Sequence, residues 1–485
     1  MPRPLILVTG ASGYIASRLI PRLLEKGYRV RALARRPEWL VTRAWAQGVE
    51  FVRGDVTDPV SLGSALEGVH TAYYLIHSMA GGRGYMRIET EAARTFTSMA
   101  ERSGLEHIIY LGGLADPNAR NLAPHMRSRI ETGMTLRQGK CSVTEFRAGV
   151  IVGPGSISFE MIRFLTEDFP VLPGPSWLKN KVQPISARNV IDYLIAALDH
   201  PEARGGIYEL GGPEVMLYAD TMLRYARLRG LKRRLFTLPG IPISLMARIV
   251  DWLTPVPASI AAPLIGGLQS DSIVEDYSIR LLFPELDLIP YEQAVTETLA
   301  ELNPAHIERV WEGLGRDHVS TKHEGFYINF RRLKVDASPL TIYRVLKSMG
   351  GQYGWPFANR LWSLRGLMDE LMGGVGLRLR KSPLSQGADG PAALQEGDPF
   401  DYYRIERLEP DHLLRLFSEL RSPGKGWMEW RVDELPGSGT TLIQTAFFAP
   451  RGLLGFLYWV LLGPVHSYVF NGLIQAIKRQ SEALQ

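Results

Sequence analysis

Gly10 and Gly13 close the apolar run Leu5-Ile6-Leu7-Val8-Thr9, and Ser12 and Tyr14-Ile15-Ala16 lead into a segment carrying Leu19, Ile20, Leu23 and Leu24 at helical spacing. Without a Cβ, the two glycines let a turn bring its backbone N–H groups close to a phosphate. A helix that starts there aims its unpaired N–H groups and its partial positive charge at the same anion. The next strand-like run, Tyr28 to Leu33, ends in Ala34-Arg35-Arg36. A carboxylate at that point would bond ribose hydroxyls, whereas an arginine pairs with a 2′-phosphate through its planar fork. The pattern predicts a dinucleotide site that favours NADP(H). NAD(H) is the alternative if Arg35 and Arg36 are only solvated surface residues. Ala16 stands where a third glycine is usual, and Pro21 removes one hydrogen bond inside the first helix and should bend it.

The elements that must hold these residues alternate strand and helix through residues 1 to about 200, the signature of a doubly wound parallel sheet. Val49 to Val52, His70 to His77, His107 to Leu111, Ser142 to Arg147 and Ile207 to Leu210 read as further strands, with a polar helix from Tyr85 to Ser103. In such sheets ligands bind beyond the carboxyl ends of the strands. Asp55, His77 and Gly112-Gly113 lie at those ends and become candidate site residues. Gln183-Pro184-Ile185 belongs to a substrate-side lobe between about 156 and 300. Ile241 to Leu268, apolar and broken by Pro242, Pro255, Pro257 and Pro263, is expected to be a lid or pocket wall. A boundary is expected in residues 301–324, giving domains at 1–300 and 325–485.

From Gly325 the composition changes. Tyr327 to Val335 reads as a strand, and Ser338-Pro339 as the cap and first position of a helix. Strands follow at Tyr402 to Leu408, Leu413 to Leu420, Gly426 to Leu435 and Thr440 to Phe448, with a loop at Ser385 to Pro391. A long apolar helix from Gly452 would complete an α+β cup with an apolar interior. No residue from Gly452 to Ile474 is charged, a length that suits a bilayer. Pro464, His466, Ser467 and Asn471 suit a lipid-exposed helix poorly, so a core helix is expected, with membrane-surface contact as the variant.

The 485 residues carry a net charge of +5, not gathered into a basic run with interleaved aromatics, which argues against nucleic acid as a partner. Cys141 is the single cysteine and the ten histidines are scattered, so neither an internal disulfide nor a metal cluster is expected. With the apolar run at Leu5 turning into the glycine loop, the N-terminus reads as a strand, not a signal peptide, and cytoplasm is the expected compartment.

Together with the glycine loop and Arg35, Gly54-Asp55 and Arg147-Ala148-Gly149 before Val152-Gly153-Pro154-Gly155 complete a family likeness. The first 300 residues resemble the extended and atypical short-chain dehydrogenase/reductases, a branch that includes NmrA-like NADP binders and sugar epimerases. Residues from about 325 resemble an uncharacterised domain akin to the START/polyketide-cyclase helix-grip fold, which binds hydrophobic molecules. The resemblance implies that Gly10, Ser12, Gly13, Tyr14 and Ile15 hold the pyrophosphate and Arg35 the 2′-phosphate. It puts Asp55 and Val56 at the adenine, and Leu75, Ile76 and His77 along the ribose and nicotinamide. The family's catalytic Ser and Tyr-x-x-x-Lys do not match. Gly112-Gly113 occupies the serine site, and His125 and Arg129 align with the tyrosine and lysine. Histidine can relay a proton near neutral pH, but arginine cannot exchange one. His125, Arg129 and His77 are the catalytic candidates, with Tyr74 as another proton source.

These features imply an NADP(H)-dependent oxidoreductase acting on a hydrophobic carbonyl, quinone or lipid-like molecule. The alternatives are a silent NADP(H)-holding sensor or assembly factor, an epimerase-like enzyme, and a lipid carrier resting on the cup alone.

Overall fold

A computed structural model describes the chain except residues 1–2, 42, 78–83, 120–121, 310, 313–314, 351–353, 378–393 and 436–438, so the loop read at Ser385 to Pro391 lies outside the described residues. The chain divides into two units, Met1–Leu314 and Gly315–Gln485.

Unit 1 is built on seven parallel strands, β1 (Leu5–Thr9), β2 (Arg29–Ala34), β3 (Val49–Arg53), β4 (Thr71–Tyr74), β5 (His107–Gly113), β6 (Ser142–Ala148) and β7 (Ile207–Leu210). Their order is β7-β6-β5-β4-β1-β2-β3, a Rossmann sheet whose winding reverses between β1 and β4. Both faces are covered because successive side chains alternate. Ile6 and Val8 pack with Leu19, Ile20 and Leu23 of α1 (Tyr14–Glu25), and Leu5 and Leu7 pack with Leu62, Ala65 and Leu66 of α2 (Pro59–Leu66). Asp58 caps α2 by accepting from the N–H groups of Val60 and Ser61, each at 3.1 Å. Helix α3 spans Tyr85–Ser103, as the sequence predicts, and ends at Gly104 with φ 72°. Helix α4 (Pro124–Leu136) crosses behind β5. The Ile241 to Leu268 stretch folds as α5 (Ile243–Leu253) and α6 (Ala258–Gly267).

Unit 2 is α+β. Its seven antiparallel strands are β8 (His318–His323), β9 (Phe326–Val335), β10 (Pro399–Phe400), β11 (Tyr403–Glu409), β12 (Leu413–Ser418), β13 (Gly424–Leu435) and β14 (Gly439–Pro450), in the order β8-β9-β14-β13-β12-β11-β10. Helix α7 (Pro339–Ser348) starts as its sequence dictates, with Ser338 Oγ accepting from Thr341 N at 3.2 Å and Pro339 in the first turn. Helix α8 (Asn359–Leu371) follows. The single long helix expected from Gly452 is instead two, α9 (Gly452–Leu461) and α10 (Gly463–Ala483), meeting at 57°. Pro464 cannot donate a backbone hydrogen bond and so begins a new helix. The apolar interior expected of the cup is filled by its own side chains, Trp355, Trp362, Tyr402, Tyr403 and Trp430, with Leu473 and Ile477 of α10. The rings of Trp355 and Trp362 stack at 4.3 Å. The 301–324 stretch is not wholly a linker either: Trp311 is fully buried and His318–His323 pairs with β9.

Candidate active site

At the carboxyl ends of β1 and β4 a cleft of about 1000 Å³ opens in unit 1. Its floor begins at the glycine turn. Gly10 has φ 63°, and a Cβ there would lie 2.9 Å from the Leu75 carbonyl oxygen, so only glycine fits. Gly13 N donates to Gly10 O at 2.8 Å, which tightens the turn into α1. No side chain caps α1 and its first turn carries no acid, leaving its positive end to an external anion. This cradle, open where any Cβ would intrude, fits a pyrophosphate. Thr9 Oγ1 donates to Tyr73 O and accepts from Leu75 N, at 3.0 and 3.1 Å, locking together the strand ends on either side.

Ser12, Tyr14, Ile15, Arg35, Asp55, Val56, Leu75, Ile76, His77 and Gly112 all line this cleft. Arg35 is exposed at the end of β2. Arg36 is not part of the lining: its guanidinium lies 4.6 Å from the centre of the Trp39 ring. Asp55 Oδ1 accepts from Thr57 N and Oγ1 at 3.0 and 2.8 Å, which fixes the side chain in its own turn at the edge of the cleft.

Deeper in the cleft stand His77, His125 and Arg129. His77 Nδ1 is 2.7 Å from Oε1 of Glu89, a carboxylate only 3% exposed on α3. Ser128 Oγ donates to the other oxygen of Glu89. Burial, and the charge of Arg129 beside it, lower the His77 pKa below its usual value against the opposing pull of Glu89. The carboxylate nonetheless fixes which ring nitrogen carries the proton.

Arg129 donates to the carbonyls of Ile76, at 3.1 Å, and Leu111, so its charge is anchored across the ends of β4 and β5. Burial pushes His125 down to about 4, helped by His77 and Arg129. Among the described residues its buried Nδ1 has no hydrogen-bond partner. The flat face of Gly267, at the end of α6, covers its ring: a Cβ there would come within 2.6 Å of Cε1. A Cβ at Gly113 would lie 2.8 Å from Met126 Cε, so the space beside Gly113 at the end of β5 is filled by a thioether side chain.

Tyr74 is no proton donor here. It is 1% exposed, absent from the lining and packed edge-on against Phe96 and Tyr110, and burial raises its pKa far above the usual value. The sequence reading missed Glu89. Its signal was present, since Glu89, Ala92, Ala93, Phe96 and Ala100 form the buried stripe of α3, and a carboxylate in such a stripe needs a partner. The far wall is apolar, with Met126, Ile157, Met161, Ile260, Leu264 and Leu268, so the Ile241 to Leu268 stretch does supply pocket wall.

Residues 2–226 match the model of the NmrA-like family, and residues 324–473 match a family described as protein of unknown function (DUF2867). A ceramide reductase of Caulobacter vibrioides is 27% identical over 255 residues, covering 51% of this chain and 78% of that protein. Among solved structures, an NADPH-dependent quinone oxidoreductase of Escherichia coli complexed with NADPH is similar with a TM-score of 0.50 and 18% identity. A triphenylmethane reductase of Citrobacter sp. is similar with a TM-score of 0.50 and 19% identity. Each match covers 61% of this chain and 99% of the solved one, and at this identity each speaks to the fold of unit 1.

Proposed function

We propose that unit 1 is an NADP(H)-dependent oxidoreductase acting on a hydrophobic carbonyl, quinone or lipid-like molecule. The observation that carries this reading is the meeting, in one cleft, of a glycine turn built for a pyrophosphate, a Glu89-oriented histidine and an apolar wall. The nicotinamide, when bound, supplies or accepts the hydride. The backbone of Gly10 to Ile15 and the start of α1 hold the pyrophosphate, and Arg35 pairs with the 2′-phosphate.

Because Glu89 accepts the Nδ1 proton, Nε2 of His77 is the atom that exchanges one with the substrate. Neutral at pH 7, it takes the proton of a substrate alcohol; in the reducing direction, Nε2–H returns it. Burial, and then the fixed charge of Arg129, make that imidazolium the stronger acid. His125, neutral and lining the cleft, offers the polar contact that orients the substrate oxygen, a task the missing serine would otherwise perform. The likeness to a ceramide reductase and the apolar wall support a lipid-like substrate.

The test is NADPH oxidation by the purified full-length protein across quinones, long-chain aldehydes and ketones, and sphingolipid ketones. Turnover on at least one class is expected, falling by about 10²-fold in His77→Asn while NADPH still binds. A second reading, a protein that holds NADP(H) without turnover, draws on the missing serine, with Met126 filling the space beside Gly113. Tight NADPH binding with no oxidation of any compound would select it.

A further inference from the structure

We propose that unit 2 carries a face that seats on the surface of a lipid bilayer, formed by α8, α9 and the start of α10. Helix α9 is built inside out. Its buried residues are Gly452 and Gly455, the latter so close to Pro423 O and Pro450 that no side chain fits, while Leu454, Val460 and Leu461 are 71, 49 and 72% exposed. A helix evolved for water shows the reverse arrangement. Beyond the bend, Val465 and Tyr468 of α10 continue the exposed set.

The polar residues that spoke against lipid contact in the sequence are engaged with protein. Ser467 Oγ and Asn471 Oδ1 each accept from Arg331 of β9 at 3.2 Å, and the His466 ring stacks on Phe470 at 5.3 Å. Helix α8 lies alongside. Phe357, just before it, is 5.2 Å from the Tyr468 ring, and the Arg365 guanidinium is 5.7 Å from that of Tyr458. It adds Leu364, Leu367, Met368 and Leu371, all about half exposed or more. Its Asp369 points inward and accepts from Gly376 N and Arg421 N at 3.1 and 2.6 Å.

Three features name a bilayer as the occupant. Gly452 to Ile477 carries no charged residue, yet the 57° bend between α9 and α10 leaves no single helix long and apolar enough to cross a bilayer straight, so contact with its surface is the simpler use of the exposed side chains. Exposed Tyr468, with half-buried Tyr458 nearby, supplies the kind of amphipathic ring favoured at the headgroup level. Exposed Arg360 and Arg451, with half-buried Arg365, border the face and suit lipid phosphates. A two-fold contact with a second copy would instead bring these cations together. The face is independent of whether unit 1 turns over a substrate.

The experiment is flotation of the full-length protein with vesicles of phosphatidylcholine, alone or mixed with phosphatidylglycerol, beside light scattering in solution. The wild type is expected to float, more with the anionic mixture. The triple variant Leu367→Ser/Leu454→Ser/Leu461→Ser, whose three sites are exposed, should partition at least about tenfold less while keeping its circular dichroism. Arg360→Gln/Arg451→Gln should lose the preference for anionic vesicles. Failure of the wild type to float with either vesicle overturns the proposal, as does equal flotation of the folded triple variant. A dimer dissociated by the triple variant, without flotation, would assign the face to a second copy.

Discussion

Replacing Arg35 with alanine should separate NADPH from NADH. The guanidinium stands at the end of β2 on the lip of the cleft, exposed, with its neighbour Arg36 drawn away onto Trp39. A charge-assisted pair with a phosphate contributes about 1.5–3 kcal/mol when shielded. Exposure to water and salt puts this pair near the lower part of that range. A loss of about 1–2 kcal/mol corresponds to a roughly 5- to 30-fold weaker affinity for NADPH. NADH has no 2′-phosphate, so it has no charged partner for the Arg35 guanidinium to lose. Its affinity should change by less than about twofold. Calorimetric titration of wild type, Arg35→Ala and Arg36→Ala with both nucleotides measures all of this. Arg36→Ala should leave both affinities nearly intact, and the Arg35 effect should shrink as salt rises. Equal losses for NADPH and NADH in Arg35→Ala, or a larger NADPH loss in Arg36→Ala, would refute the assignment of the 2′-phosphate to Arg35.

Glu89→Gln removes the group that opposes burial and Arg129 at His77, so the imidazole pKa should move further down in an NMR titration and turnover should fall by about 10²-fold; an unchanged titration would mean the carboxylate does not govern that ring. Gly10→Ala places a Cβ in a left-handed conformation and against the Leu75 carbonyl, and should weaken NADPH binding more than about tenfold, read by calorimetry, with a lower melting temperature for unit 1. His125 and His107 are both held at about 4 by burial, whereas the unfolded chain titrates near 6.5. Between those values the unfolded state binds the extra protons, so stability falls as pH drops. The loss at pH 5 relative to pH 7 is on the order of 2 kcal/mol for each histidine, and urea melts at the two pH values, with and without His107→Gln, would measure it.

The nucleotide turn was readable because everything it needs is contiguous. An apolar strand, two glycines and an amphipathic helix lie within Leu5–Glu25, and their spacing alone dictates the geometry. The doubly wound sheet was readable for the same reason, since each strand and helix declares its own period and parallel neighbours follow from the alternation. The cap at Ser338 is likewise local. The new helix at Pro464 is local too, but an apolar run without charge hides it and reads as one helix from Gly452. What no local pattern could decide is which of two adjacent arginines faces the cleft. That choice rests on Trp39, whose ring takes Arg36.

Nor could spacing bring Glu89 to His77 and Ser128, because three separate elements converge there only after the sheet has packed α3 beside α4. The same apolar composition that reads as core in the last helices turns outward in α9, where two glycines take the inner side and the leucines are left exposed. Hydrophobicity in a sequence states that a side chain disfavours water. Only the packing of the other elements decides whether protein shields it or something else must.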